Sequence, residues 1–277
     1  MTTHGNDILV LGSTGKTGRR LVRRLRAEGR TVRPASRSGE VPFDWFRPDT
    51  WQPALDGASA VYLVAPEDPA PVQGFVEQAE ASGVGRFVVL SGRGVEHVGE
   101  DFGRGMAAAE RAVRRSGAEW TIVRPNNFDQ NFDEDLWLPP LRAGRLALPT
   151  GGVPEPFVDV EDVAEVAAAL LTRDGHAGRV YELSGPRALT FGSAVAVIAR
   201  ASGRRIEHVE LTPQEYHAEL LADGLPEADA RGLGAMFAMM RAGHSAEPAD
   251  GVQRVLGREP ADFASYAARA AAAGAWS

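Results

Sequence analysis

The chain has 277 residues, 44% of them apolar and 24% charged, with a formal net charge of −7. That length supports a sizeable core in one large domain or two modest ones, and the acidic balance argues against general nucleic-acid affinity. With no cysteine, disulfides, thiolate metal sites and a cysteine nucleophile are excluded.

Residues 7–11 form a short apolar run that ends in a glycine-rich turn, the pattern of a buried parallel strand. Residues 17–28 carry Leu21, Val22 and Leu25 at helical spacing, and Gly29 closes that helix. Further strands are predicted at 31–36, 60–65, 86–91 and 120–124, with helices at 72–81 and 106–116. Residues 126–156 are rich in Pro, Gly, Asn and Asp, show little periodicity, and are expected to build a loop region over the functional site. A helix at 163–172 and a strand at 179–183 return the chain to the sheet, and helices follow at 193–201, 213–222 and 264–275. Segment 232–241 holds Met236, Met239 and Met240, which suit either core packing or the lining of a site for a large flat ligand. No internal repeat and no clustered metal-ligand spacing is present.

Alternating strands and helices predict an α/β fold, a Rossmann-like doubly wound parallel sheet. That domain is expected from 1–125 and 157–185. A smaller, mostly helical C-terminal substrate lobe is expected from 126–156 and 186–277. No apolar run approaches the roughly 20 residues of a membrane span, and no basic-then-apolar leader precedes Asp7. A soluble cytoplasmic monomer or homodimer is expected, with a small-molecule partner and neither nucleic acid nor membrane.

The turn places Gly12, Gly15 and Gly18 around Ser13, Thr14, Lys16 and Thr17. Glycines at this spacing allow a tight strand-to-helix turn, close backbone approach to a pyrophosphate, and an anion seated at the positive helix end. The second strand ends in Ser36 and Arg37, with Arg33 nearby and no acid until Glu40. An acid there would hold the ribose diol of NAD, whereas an arginine suits a 2′-phosphate, so NADP(H) is the expected cofactor. Lys16, the only lysine, and Arg19 add positive potential near the phosphates. The alternative for Arg37 is a solvated surface charge.

Beyond the turn, several stretches resemble the NmrA-like branch of atypical short-chain dehydrogenases. They are Phe43-Asp44-Trp45, Thr50-Trp51, Ala54-Leu55-Asp56-Gly57, Val61-Tyr62-Leu63-Val64-Ala65-Pro66, Trp120-Thr121-Ile122-Val123-Arg124-Pro125, Asn127-Phe128-x-Gln130-Asn131 and Phe157-Val158-Asp159-Val160-x-Asp162-Val163-Ala164. The resemblance covers most of the chain and implies an NADP-binding Rossmann lobe. It implies Asp44 near adenine, Ala65 and Pro66 near the cofactor ribose, and Ser91 beside the nicotinamide. It extends to ketoreductases acting on angucyclinones of the simocyclinone type, which implies a polycyclic aromatic substrate and a place in antibiotic biosynthesis.

One departure bears on the chemistry. Counted back from Ser116-Gly117, the branch's lysine position falls on Met106 and its tyrosine position on Phe102, neither able to donate a proton. Tyr62, Tyr181, Tyr216 and Tyr266, the four tyrosines, all lie outside that helix. Hydride delivery depends first on holding cofactor against substrate. A positioned general acid typically adds about 100- to 10,000-fold, and quinone or iminium reduction needs little acid at the hydride step. Ser91 is the candidate for contacting the reacting carbonyl. Asn126, Asn127 and Gln130 either orient substrate and nicotinamide amide or cap a loop. His97 and Asp101 are alternative proton relays or surface groups. The expected function is NADPH-dependent reduction of a hydrophobic carbonyl, a ketone or quinone, without the Tyr-x-x-x-Lys pair. The alternative is a non-catalytic NADP-binding sensor.

Overall fold

The computed structural model describes residues 7–97, 99 and 101–277. Strand β1 (Asp7–Leu11) leads into helix α1 (Lys16–Ala27), β2 (Val32–Ser36) and a two-residue β3 (Val41–Pro42). Then come α2 (Trp51–Leu55), β4 (Ala58–Val64), α3 (Val72–Ala81), β5 (Arg86–Leu90), α4 (Arg104–Arg115) and β6 (Glu119–Pro125). The chain continues through α5 (Leu138–Arg142), β7 (Arg145–Leu148), α6 (Val160–Thr172) and β8 (Arg179–Leu183). It ends with α7 (Phe191–Ser202), β9 (Glu207–Glu210), α8 (Pro213–Ala222), α9 (Glu227–Arg241), α10 (Gly251–Leu256) and α11 (Phe263–Ala272).

Seven parallel strands form the main sheet in the order β3-β2-β1-β4-β5-β6-β8, the expected doubly wound α/β topology. The period of two along each strand divides its side chains between two layers. Ile8 and Val10 face a core shared with α1, α6 and α10, while Leu9 and Leu11 face one shared with α2, α3 and α4. Both faces are therefore dry, which is why these strands read as unbroken apolar runs. The order reverses between β1 and β4, so a crevice opens beyond their carboxyl ends, where open α/β sheets bind ligands.

A third core gathers Phe132, Trp137, Phe157, Phe191, Phe237, Phe263 and Trp276. Its aromatic rings pack at tilted and edge-to-face angles, for example Phe157 against Phe191 at 5.0 Å and 84°. A two-stranded parallel sheet, β7 with β9, adds Leu146 and Leu148 to it. The loop expected over 126–156 thus contains α5 and β7. Both are too short for a periodicity to register, and α5 carries Pro139 and Pro140 in its first turn, where proline is tolerated. Helix α10 packs back on α6 and β8 rather than on the aromatic core.

Candidate cofactor and active site

A cleft of about 1060 Å³ runs along the carboxyl edge of the sheet. Gly12, Thr14, Gly15, Lys16, Thr17, Ser36, Arg37, Asp44, Ala65, Pro66, Ser91 and Asn127 all line it. Ser13 and Gly18 lie behind this wall. Ser13 is buried, and its amide donates to Ala35 O at 3.1 Å. A Cβ on Gly18 would stand 2.2 Å from the Gly12 carbonyl oxygen, so only glycine lets α1 approach the turn this closely. Gly12 itself adopts φ +64°.

The turn fits a dinucleotide phosphate. No side chain caps the first turn of α1, which leaves its amides free for an anion. At the end of β2 the buried Ser36 hydroxyl has no hydrogen-bond partner among the described residues, an orphan that a bound phosphate or ribose would satisfy. Arg37 beside it is exposed and makes no ion pair or hydrogen bond among those residues. Glu40 turns away to Arg26, with contacts of 2.7 and 2.8 Å. Arg33, expected near Arg37, lies toward the other end of β2 and donates to the Pro53 and Ala54 carbonyls. Asp44 accepts from the Phe46 amide at 3.0 Å, and Phe46, 60% exposed, offers a ring face at this end of the cleft.

Lys16 reaches across the cleft to Asn131 Oδ1 at 2.5 Å and Asp135 Oδ2 at 2.8 Å. Arg19 and Arg20 both pair with Glu134. Burial pushes the Glu134 carboxyl up, but its arginine partners outweigh burial and hold it below the ordinary value. The segment after β6 is thereby tied to the phosphate turn, and the positive potential expected from Lys16 and Arg19 is partly neutralised.

The other half of the cleft is apolar. Phe102, Met106, Met236, Met239 and Met240 line it. The core-packing reading holds in part: Met240 also belongs to the aromatic core, and Met236 packs against it. Among the described residues lining the cleft there is no tyrosine, and Lys16 is at the phosphate end.

Ser91 follows β5 and is 4% exposed. Its hydroxyl donates to Glu110 Oε1 at 2.7 Å, and Arg124 grips that carboxylate with two bonds of 2.8 Å. Burial pushes Glu110 up, but the bonds from Arg124, Ser91 and Arg114 prevail and hold it below the usual range. With its proton committed to a carboxylate, Ser91 faces a ligand as an acceptor. Asn126 and Asn127 follow β6 and hold Glu155 rather than standing free. Gln130 takes the capping role: it bridges Asp159 and the Val160 amide at 2.8 Å each, fixing the start of α6. His97 stacks on His244 with ring centroids 4.0 Å apart, and Asp101 lies 3.9 Å from Arg231.

Arg93, Glu110, Glu155 and Ser245 join this site without having been singled out in the sequence. Their partners lie far away along the chain, and no local spacing marks them. Among the described residues no group of His, Cys, Asp and Glu could hold a metal ion, and no helix is long and apolar enough to cross a membrane.

Fold and cleft together define a dinucleotide-binding protein of the Rossmann class. The chain belongs to the NAD(P)H-binding family, whose model matches residues 12–174. It is similar to an uncharacterized oxidoreductase, YesF, of Bacillus subtilis, at 35% identity over 96% of both chains. It is also 35% identical to (4-alkanoyl-5-oxo-2,5-dihydrofuran-3-yl)methyl phosphate reductase of Streptomyces griseus, over 96% of this chain and 98% of that one. Among solved structures, the Escherichia coli NADPH-dependent quinone oxidoreductase QOR2 with NADPH superposes with a TM-score of 0.78 at 21% identity, covering 95% of this chain and 99% of that one. NmrA, a negative transcriptional regulator in complex with NAD, gives 0.76 at 17% identity, covering 98% and 97%. These structures share the fold, the one that the NmrA-like resemblance implies.

Proposed function

We propose that the protein is an NADPH-dependent reductase of a hydrophobic carbonyl, a polycyclic aromatic ketone or a quinone, working without a Tyr-x-x-x-Lys pair. One observation carries this reading: a single cleft joins the glycine turn and the unpaired Arg37 at one end to a wall of Phe102, Met106, Met236 and Met239 at the other. Methionine and phenylalanine at this density suit a flat apolar ligand that must be held without many directional contacts. Relatives named as an oxidoreductase and as a (4-alkanoyl-5-oxo-2,5-dihydrofuran-3-yl)methyl phosphate reductase support reduction as the reaction class.

The α1 amides, Thr14 and Thr17 would hold the pyrophosphate, Arg37 and Ser36 the 2′-phosphate, and Asp44 the adenosine end. Ala65 and Pro66 would floor the nicotinamide ribose, and Asn127 and Ser91 would orient ring and substrate. Bound there, the reduced nicotinamide supplies hydride. The chain's own contribution is alignment of the two reactants and exclusion of water, which can account for about 7–11 kcal/mol of a barrier.

The experiment is to mix purified protein with NADPH and a panel of quinones and aromatic ketones and follow nicotinamide absorbance. Oxidation dependent on both protein and acceptor is the expected result. The absence of tyrosine from the cleft favours one second reading, a non-catalytic NADP-binding sensor. Tight NADPH binding with no oxidation across the panel would favour it.

A further inference from the structure

We propose that Glu155 is the proton donor in ketone reduction, an inference that rests on the reductase reading above. Glu155 is 3% exposed and still lines the apolar half of the cleft, in a wall with Asn126, Asn127, Met240 and Ser245. Its backbone is pinned by reciprocal hydrogen bonds with Leu189, of 2.9 and 3.0 Å. Its side chain is held asymmetrically. Oε1 accepts from Asn126 Nδ2 at 2.7 Å, from the Asn127 amide at 3.1 Å and from Asn127 Nδ2 at 3.3 Å. Oε2 takes no hydrogen bond among the described residues.

This asymmetry decides where a proton sits. An oxygen that already accepts three N–H groups cannot also carry a hydrogen, so a neutral Glu155 carries it on Oε2, with no protein acceptor to claim it. A ligand carbonyl in the cleft would be its partner. The asparagines cannot turn away to compete. Asn126 Oδ1 accepts from Arg93 at 2.7 Å and its amide also donates to the Ser245 carbonyl at 2.9 Å, while Asn127 Nδ2 reaches Met240 Sδ at 3.4 Å.

The charged group acting on the carboxyl is Arg93, which follows β5 and is itself bound by Glu182 of β8 at 3.1 Å. Arg93 is further occupied by the Ser245 and Glu247 carbonyls. Burial pushes the Glu155 carboxyl above the ordinary glutamate value, against the pull of the asparagines and Arg93. A carboxyl that burial makes hold its proton more tightly is better suited to act as an acid than an exposed glutamate.

In the reaction the carbonyl π bond breaks, the carbon takes hydride from the reduced nicotinamide, and the oxygen takes the Oε2 proton. The ketone is reduced to an alcohol and the nicotinamide is oxidised. The Glu155 carboxylate recovers a proton from solvent. Quinone reduction does not need the acid at the hydride step, so the two substrate classes separate the role.

The test compares wild type with Glu155→Gln, which keeps the shape and the Oε1 bonds and cannot transfer a proton. NADPH binding by calorimetry should match in the two proteins. Ketone turnover should fall by about 100-fold, with quinone turnover within about threefold. Wild-type ketone turnover should decline as pH rises through the Glu155 value, a limb missing from the variant's residual rate. In isotope-labelled apoprotein, one glutamate carboxyl should titrate above the ordinary range and disappear in Glu155→Gln. Undiminished ketone reduction by the variant, or a wild-type profile without that limb, overturns the donor role while the reductase reading stands. Wild-type protein that reduces quinones and no ketone also overturns the donor role. NADPH binding with reduction of neither class overturns both readings.

Discussion

On the proposed reading, Arg37 carries the preference for NADPH. It is an exposed guanidinium at the end of β2, beside a Ser36 hydroxyl with no partner among the described residues, while Glu40, the nearest following acid, is bound to Arg26. A charge-assisted bond to phosphate contributes about 1.5–3 kcal/mol. Arg37→Ala should therefore weaken NADPH binding by about 10- to 100-fold and leave NADH within about twofold, as measured by calorimetry. Equal losses for both dinucleotides would mean that Arg37 does not read the 2′-phosphate. Asp129 raises a different point at this scale. It is fully buried, neither carboxylate oxygen has a partner among the described residues, and burial followed by the charges of Asp159 and Asp162 pushes its carboxyl well above the usual range. The native protein thus holds a proton that the unfolded chain releases above about pH 4. Its stability falls as pH rises from there toward the folded value. Asp129→Asn removes that slope. The Tm difference between about pH 5 and about pH 8 should narrow in the variant, and an unchanged difference would refute the buried proton.

At the scale of elements, Ser91, Glu110 and Arg124 stitch the end of β5 to α4 and β6. Glu110 is the hub, with Ser91 and Arg124 bonded to one carboxylate. Its depressed pKa contributes stability that is present above the ordinary glutamate range and lost as pH falls through the folded value. Glu110→Gln should cost about 1–3 kcal/mol at neutral pH, because Arg124 loses a buried counter-charge but keeps Glu96. The acid limb of a stability-against-pH curve should flatten with it. A neutral-pH stability equal to wild type would show that the tie does no structural work. These same elements mark what a single sequence can disclose. Many apolar strands and amphipathic helices announced themselves, although the 15-residue α9 did not: α3, β8 and α8 fall on the predicted spans. β3, α2, β7 and α10 did not, since two to six residues cannot display a period. The glycine turn and Arg37 were legible because a local spacing encodes them. Glu155 was not: it sits between Pro154 and Pro156 with no pattern, and its meaning comes from Asn126, 29 residues away. Gln130 was read as a choice between orienting a ligand and capping a loop, and only its contacts with Asp159 and Val160 resolve that choice.

Across the whole molecule, the cleft is where a parallel sheet and an aromatic helical core meet. The sheet's carboxyl edge supplies the glycine turn, Ala65, Ser91 and Asn127, α9 supplies Met236, Met239 and Met240, and α4 supplies Met106. The segment after β6 bridges the two, tied to α1 through Lys16–Asp135 and Arg20–Glu134. The proposed cofactor grip and substrate wall belong to one continuous cavity, the geometry that hydride transfer would require. The claim on which this account rests is that this cavity takes up a phosphorylated nicotinamide dinucleotide. The most direct measurement is calorimetric titration of NADPH and of NADH into the purified protein. Saturable binding of one NADPH per chain, tighter than NADH, is the predicted result; no uptake of either dinucleotide by folded protein would contradict it.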